Sequence, residues 1–198
     1  MYPPPHHQVN DKQKMIAVIR AFPLGMLVTA LDNEPFITHI PIIYKESGEK
    51  LVAHIDASNP QVESLKDGAK ATVVFKGPDC YISPSVYSTE QLPTWNYIIV
   101  HLEGIIKTIP EPEAVKETMI AMTRFLEGSQ QQFVLERDNP KMDRMVNYIR
   151  AFEIEITHWE GKFKLSQDKD PEDYKRAHEA LIAKSREDIA SFINQMYL

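Results

Sequence analysis

A single cysteine, Cys80, is all the thiol chemistry this chain of 198 residues carries. One thiol forms no intramolecular disulfide and builds no cysteine-cluster metal site, which suits a reducing compartment. No stretch approaches 18 consecutive apolar residues, so no membrane-spanning helix is expected. The opening MYPPPHHQVND has neither a basic leader region nor an apolar one, and a cytoplasmic location is expected. Basic charge is short as well: 22 Lys and Arg face 28 Asp and Glu, a formal net charge of −6. Residues 1–110 hold 9 basic and 11 acidic side chains, and residues 111–198 hold 13 and 17. A protein that grips DNA through its own field presents a basic face, because neutralising phosphates supplies most non-specific affinity. Here Lys162, Lys164, Lys169, Lys175 and Arg176 alternate with Glu160, Asp168, Asp170, Glu172 and Asp173, the pattern of a solvated or ligand-facing segment.

Signature motifs are missing too. Without GxGxxG or Walker A, neither a Rossmann nor a P-loop nucleotide site is expected. Without HxH or HExxH, the strand residues His39, His54 and His101 read as packed or hydrogen-bonded before they read as metal ligands. No GxSxG elbow exists and Cys80 has no histidine near it in sequence, so a nucleophilic triad is not expected.

What is present reads as a small antiparallel barrel. Residues 11–22 carry Met15, Ile16, Val18, Ile19 and Phe22 at helical spacing, ended by Pro23 and Gly25. Residues 25–31 and 36–44 form a hairpin around Asp32-Asn33-Glu34-Pro35, and Pro41 marks an edge or bulge. A strand at 51–55 runs into SNPQVESL, where Ser58 or Asn59 caps a helix with Pro60 in its first turn. Free N–H groups at such an end suit an anion. A strand at 71–76, a turn at Gly77-Pro78-Asp79, a short strand to Ile82 and a long strand at 95–109, bent or bulged at Gly104, follow. From Glu111 the period changes to helical, with Val115, Met119 and Met122 on one face, then a short helix in MDRMVNYI. AFEIEITHW is a strand with Phe152, Ile154 and Ile156 on one side, and EGKFKLSQ is a loop carrying Lys162 and Lys164. The last helix starts at Asp170-Pro171 and repeats Tyr174, His178, Leu181, Ile182, Ile189, Phe192, Ile193 and Met196. One domain, 1–198, is expected, its terminal helix 171–198 packed on the barrel or on a partner subunit.

The richest stretch is 75–104, where Tyr81, Ser83, Ser85, Tyr87, Thr94, Trp95, Asn96 and Tyr97 supply flat faces and hydrogen-bonding tips. The alternative is a well-packed loop between strands. Together with the anion site at 58–61 and the lysines at 162 and 164, the stretch matches flavin mononucleotide. Its phosphate needs N–H donors and cations, and its ring needs aromatic walls.

MYPPPH, THIPI at 38–42, the H-x4-NPQ run from His54 to Gln61, FKGPDCYISPSVY at 75–87, LPTWNYIIVH at 92–101 and FEIEITHWEGKFKLSQ at 152–167 cover nearly the whole chain. On these runs it resembles the PaiB family of FMN-binding negative transcriptional regulators. The resemblance implies a mainly β fold with helices, the antiparallel split β-barrel shared with pyridoxamine phosphate oxidases. It also implies a homodimer with FMN in clefts at the subunit interface. By position, Thr38, His39 and Ile40 would line the flavin, and Ile55, Ser58, Asn59 and Gln61 would serve ribityl and phosphate. Ser83, Trp95, Asn96 and Tyr97 would close the pocket, a wall that a partner subunit can supply, and Lys162 and Lys164 would add positive charge. Tyr81, Ile82 and residues 98–100 would hold barrel and dimer together. Ala57 stands where the family often has a basic residue. Three functions compete: an FMN-binding regulator acting on DNA or protein, a flavin-dependent oxidoreductase acting on a small substrate, and a haem-handling protein with His39 or His101 as ligand. No catalytic acid or base is assigned.

Overall fold

A computed structural model of the chain describes residues 4–185 together with Ile193 and Met196. The first helix, α1 (Lys12–Ala21), begins where the Asp11 carboxylate accepts from the N–H of Gln13 at 2.9 Å, and it buries Met15, Ile16, Val18 and Ile19. Ahead of it lies the short strand β1 (Gln8–Val9). β2 (Leu24–Leu31) and β3 (Glu34–Lys45) form the expected hairpin. Its turn is only Asp32-Asn33, at φ 52° and 66°, and Glu34 and Pro35 already pair with Leu31 and Ala30. Two left-handed residues match the twist of the flanking strands, and Asp and Asn adopt that conformation readily.

β4 (Lys50–Asp56), β5 (Lys70–Ile82), β6 (Thr94–Ile109) and β7 (Ile149–Lys164) complete one antiparallel sheet, ordered β1-β7-β4-β3-β2-β5-β6. β6 also pairs with β7, which closes six strands into a ring and leaves β1 as an addition on β7. Alternation sends Leu27, Ile42, Leu51, Ala53, Val73, Phe75, Val100, Leu102, Phe152 and Ile154 inward, where Met15 and Ile19 of α1 join them in one core. α2 (Pro112–Glu127) covers the outside of β3 and β4 through Met122 against Ile43 and Val52. α3 (Pro140–Met145) precedes β7, and α4 (Pro171–Ser185) packs Ala177 and Leu181 on Cys80, Ile82 and Tyr87.

Four expectations are corrected. Gly77-Pro78-Asp79 is a bulge inside a continuous β5, not a turn: Lys76 faces Ile99 while Asp79 faces Tyr97, one residue more on β5 than on β6. A bulge frees a residue from the ladder, which is why proline is tolerated there. Residues 160–164 are the end of β7 and pair with Tyr97–His101, not a loop. The segment after Ser58 and Asn59 is a 3-10 turn of five residues, Pro60–Ser64, and not an α-helix. α4 turns Asp173, Ala177 and Leu181 inward and leaves Tyr174, His178 and Ile182 exposed: the face spaced four residues apart from Asp173 meets Cys80, Ile82 and Tyr87, so of the expected stripe only Leu181 is buried among these. Ile189 and Phe192 lie outside the described residues. Gly104 marks the second bulge, where Glu103 faces His158 and Gly104 faces Ile156.

Candidate functional site

On β6 the outward residues are Trp95, Tyr97, Ile99 and His101, and on β7 the facing outward residues include Lys162. With Lys76 and Asp79 at the β5 bulge they line a cleft of about 520 Å³ on the outside of the ring. Trp95, 50 % exposed, donates its indole N–H to Asp79 Oδ1 at 2.8 Å, and Lys76 Nζ pairs with Asp79 Oδ2 at 2.6 Å. Burial works to raise the Asp79 carboxyl, but the bonds from Lys76 and Trp95 outweigh it and hold the group below its ordinary range. Lys162 Nζ stands 5.5 Å from the Tyr97 ring centroid, within cation–π range. Burial pushes the His101 imidazole down, against the opposing pull of Glu160 and Glu103. The cleft therefore offers a half-exposed aromatic wall with two lysines, a carboxylate and an imidazole at its edges.

The β3 group lies elsewhere on the chain. Asn59 donates from Nδ2 to Thr38 Oγ1 at 3.1 Å and accepts the Gln61 N–H at 2.9 Å, while the Ser58 N–H goes to Asp56 at 2.7 Å. Gln61 is 1 % exposed, and its amide nitrogen reaches Thr29 Oγ1 at 2.9 Å and the carbonyls of Leu27 and Phe36 at 3.2 Å. Its side chain ties the turn to β2 and β3. Ile40 and Ile55 belong to the core. That leaves His39 and Ser58 exposed, with Thr38 and Asn59 half-buried. Thr38 is separated from β6 by the pairings Thr38 to Leu27, Leu27 to Val73 and Val73 to Leu102. Three strand spacings are about 14 Å, and Trp95 lies seven positions further along β6. One chain does not bring the two groups side by side.

Three other expected residues part company. Asn96 faces inward and is buried, donating to Ser166 Oγ at 3.1 Å, and Ser83 bonds Ser85 Oγ at 2.8 Å in a 3-10 turn. Lys164 bonds Thr94 Oγ1 at 2.5 Å and lines a different cavity. Tyr81 is exposed, its ring 6.3 Å from Trp95, while Ile82 is fully buried. Lys76 stands out from sequence only as a lysine where the family usually has glutamine, not as a site residue, and Asp79 and His7 were not proposed for a site. The first two needed the bulge to be seen, and His7 needed the pairing of β1 with β7. Among the described residues no three His, Cys, Asp or Glu side chains group as metal ligands. Burial pushes the Cys80 thiol up, away from the thiolate. No helix among them is long and apolar enough to cross a membrane.

A closed six-stranded antiparallel ring with helices on its outside is a split β-barrel. Solved structures share this fold. The FAD and haem binding protein from Mycobacterium smegmatis superposes with a TM-score of 0.66 at 19 % identity, covering 86 % of this chain and 80 % of that one. The flavocytochrome Anf3 from Azotobacter vinelandii gives 0.60 at 18 %, covering 85 % and 75 %. Residues 1–158 match the family model described as "Putative FMN-binding domain", and the chain belongs to that family. It is 27 % identical over 184 residues to the protease synthase and sporulation protein PAI 2 of Bacillus subtilis (strain 168), covering 91 % of this chain and 89 % of that one.

Proposed function

We propose that the protein is a homodimeric FMN-binding protein of the PaiB type whose flavin lies between two copies of the chain. The observation that carries this reading is the separation of its two polar groups: Thr38, His39, Ser58 and Asn59 on one side, Trp95, Tyr97 and Lys162 on the other, about 14 Å apart across the sheet before any offset along it. A second copy can set one group against the other. The sheet face that continues from the cleft also calls for cover, since Leu24 and Ile37 are 61 % and 58 % exposed. The residues fit a flavin: Trp95 and Tyr97 offer flat faces for the ring, Lys76 and Lys162 offer charge, and His39, Ser58 and Asn59 offer polar tips for the ribityl side. Bound flavin supplies one- and two-electron redox chemistry. In that cleft Trp95, held by Asp79, would orient the ring, Lys162 and His101 would supply a cation and an imidazole beside it, and the partner's surface would exclude water.

The output of a PaiB-type protein is negative transcriptional regulation, and with a net charge of −6 it acts here through a protein partner or effector rather than by autonomous DNA binding. The second reading, a flavin-dependent oxidoreductase on a small substrate, is favoured by His101, Lys162 and Lys76 around a solvent-open cleft. Titration with FMN, read as quenched flavin fluorescence, tests the cofactor, and absence of binding at tens of micromolar sinks both readings. Anaerobic NAD(P)H bleaching of the FMN complex selects the oxidoreductase. A promoter-specific gel shift at physiological salt selects direct regulation.

A further inference from the structure

Beneath residues 91–93 lies a second cavity, of about 310 Å³, which shares no lining residue with the aromatic cleft. Its floor is held in place. Ser166 is buried at φ 61°, a left-handed conformation that a serine keeps only when its surroundings impose it. They do: Ser166 Oγ lies 2.9 Å from the Tyr87 hydroxyl and 3.1 Å from Asn96 Nδ2. The wall is cationic. Lys164 spends one of its three N–H donors on Thr94, and among the described residues no carboxylate lies within ion-pair distance of it. Lys169 shares the cavity but is neutralised by Asp168 at 3.0 Å. His7, 7 % exposed, completes the lining, and burial followed by His6, Lys164 and Lys162 pushes its imidazole toward the neutral form against Asp168. A half-buried ammonium with one hydroxyl partner and, among the described residues, no carboxylate within ion-pair distance is costly to keep, and an anion with two acceptor oxygens relieves it.

We propose that this cavity is a binding site for a small anion, a phosphate or carboxylate group on a metabolite-sized molecule, gripped by Lys164 and distinct from the flavin cleft. The Lys169–Asp168 pair limits the surplus charge to a single lysine, which selects one compact anionic group over a polyanion. The site does not depend on the flavin reading.

Ligand-observed NMR at matched ionic strength tests it, with the ³¹P linewidth of inorganic phosphate and saturation transfer to the methyl group of acetate as the two probes. At least one probe binds the wild type; which of them binds distinguishes phosphate from carboxylate. Lys164→Gln weakens that binding by about tenfold, Lys164→Arg restores most of it, and Lys141→Gln on the exposed side of α3 leaves it unchanged. Lys169→Gln turns the Asp168 charge on the cavity and weakens binding by about threefold, which keeps the test open if Lys164→Gln does not fold. Protein saturated with FMN still binds the probe. The proposal is overturned if neither probe binds, if both lysine variants bind like the wild type, or if FMN displaces the probe competitively and so claims the cavity for its own phosphate.

Discussion

Trp95 donates its indole N–H to Asp79 at 2.8 Å, diagonally across the strand pair in which the β5 bulge shifts the register. The bulge is thus part of the cleft: it brings a carboxylate to the one place where it fixes the plane of the exposed indole before any ligand arrives. Asp79→Ala removes that hold and the partner of Lys76 together. FMN affinity, measured by fluorescence quenching, is expected to fall by about five- to tenfold, while Asp79→Asn, which keeps an acceptor, stays within about twofold. Equal affinities for all three proteins would separate Trp95 from flavin binding.

Gly104 carries a different kind of constraint. A Cβ there would collide with the carbonyl of Glu155 and lie 2.5 Å from the Ile154 side chain, on the strand that closes the ring. Backbone cannot step aside as a flexible side-chain tip can. Gly104→Ala is expected to cost about 3 kcal/mol in urea unfolding, at the upper end of overpacking effects. A loss below about 1 kcal/mol would mean that the β7 bulge relaxes to absorb it.

The elements with a strong local signal were legible. The stripe Met15, Ile16, Val18, Ile19 and Phe22 predicts α1, though Phe22 is its exposed C-cap, and Asp32-Asn33-Glu34-Pro35 predicts the hairpin turn, though Glu34 and Pro35 already pair, because helix period and turn residues are properties of a few consecutive positions. What was not legible depended on pairing. Gly, Pro and Asp serve a turn and a bulge equally well, so 77–79 could be resolved only by knowing that β6 runs past it. In EGKFK the inward Gly161 and Phe163 alternate with outward Lys162 and Lys164 in strand fashion, yet the polar outer face masks the period. Asn96 was expected at the ligand because a polar side chain in an aromatic run looks functional. Its partner, Ser166, lies 70 positions away and is invisible to local reasoning.

Asp173 fastens α4 to the loop after Tyr87. Fully buried, its carboxylate accepts from the Ser88 hydroxyl at 2.8 Å, the Ser88 N–H, the Thr89 N–H at 3.4 Å and the Thr89 hydroxyl. Burial acts to raise the group, but these four donors prevail and bring it from 3.8 to about 2. Because the folded value is depressed, the stabilisation is complete above the unfolded value and is lost as pH falls from about 4 toward 2. Protection of the Ser88 and Thr89 amides, measured as exchange relative to the intrinsic rate at each pH, should fall across that window in the wild type. Asp173→Asn should show lower protection at neutral pH that does not change across the window; unchanged neutral-pH protection would count against the clamp.

The outer sheet face joins the cleft to Leu24 and Ile37 through one set of paired rows: Leu24 faces Pro41, Val28 faces Ile37, Met26 faces both His39 and Val74, and Val74 faces His101. A partner covering the two exposed aliphatics therefore also reaches the cleft and His39. Charges placed at both, Leu24→Glu with Ile37→Glu, should oppose that contact without touching the core, since both side chains are exposed. Sedimentation should show a dimer for the wild type and a monomer for the double variant, with a circular dichroism spectrum like that of the wild type and a urea midpoint lowered only by the lost association. FMN affinity should drop by more than about tenfold, because each monomer keeps only half of the binding groups. A wild-type monomer that binds FMN at micromolar concentration would instead place the whole site within one chain, and the 14 Å separation across the sheet would then have to be spanned by the flavin itself, at about three strand spacings.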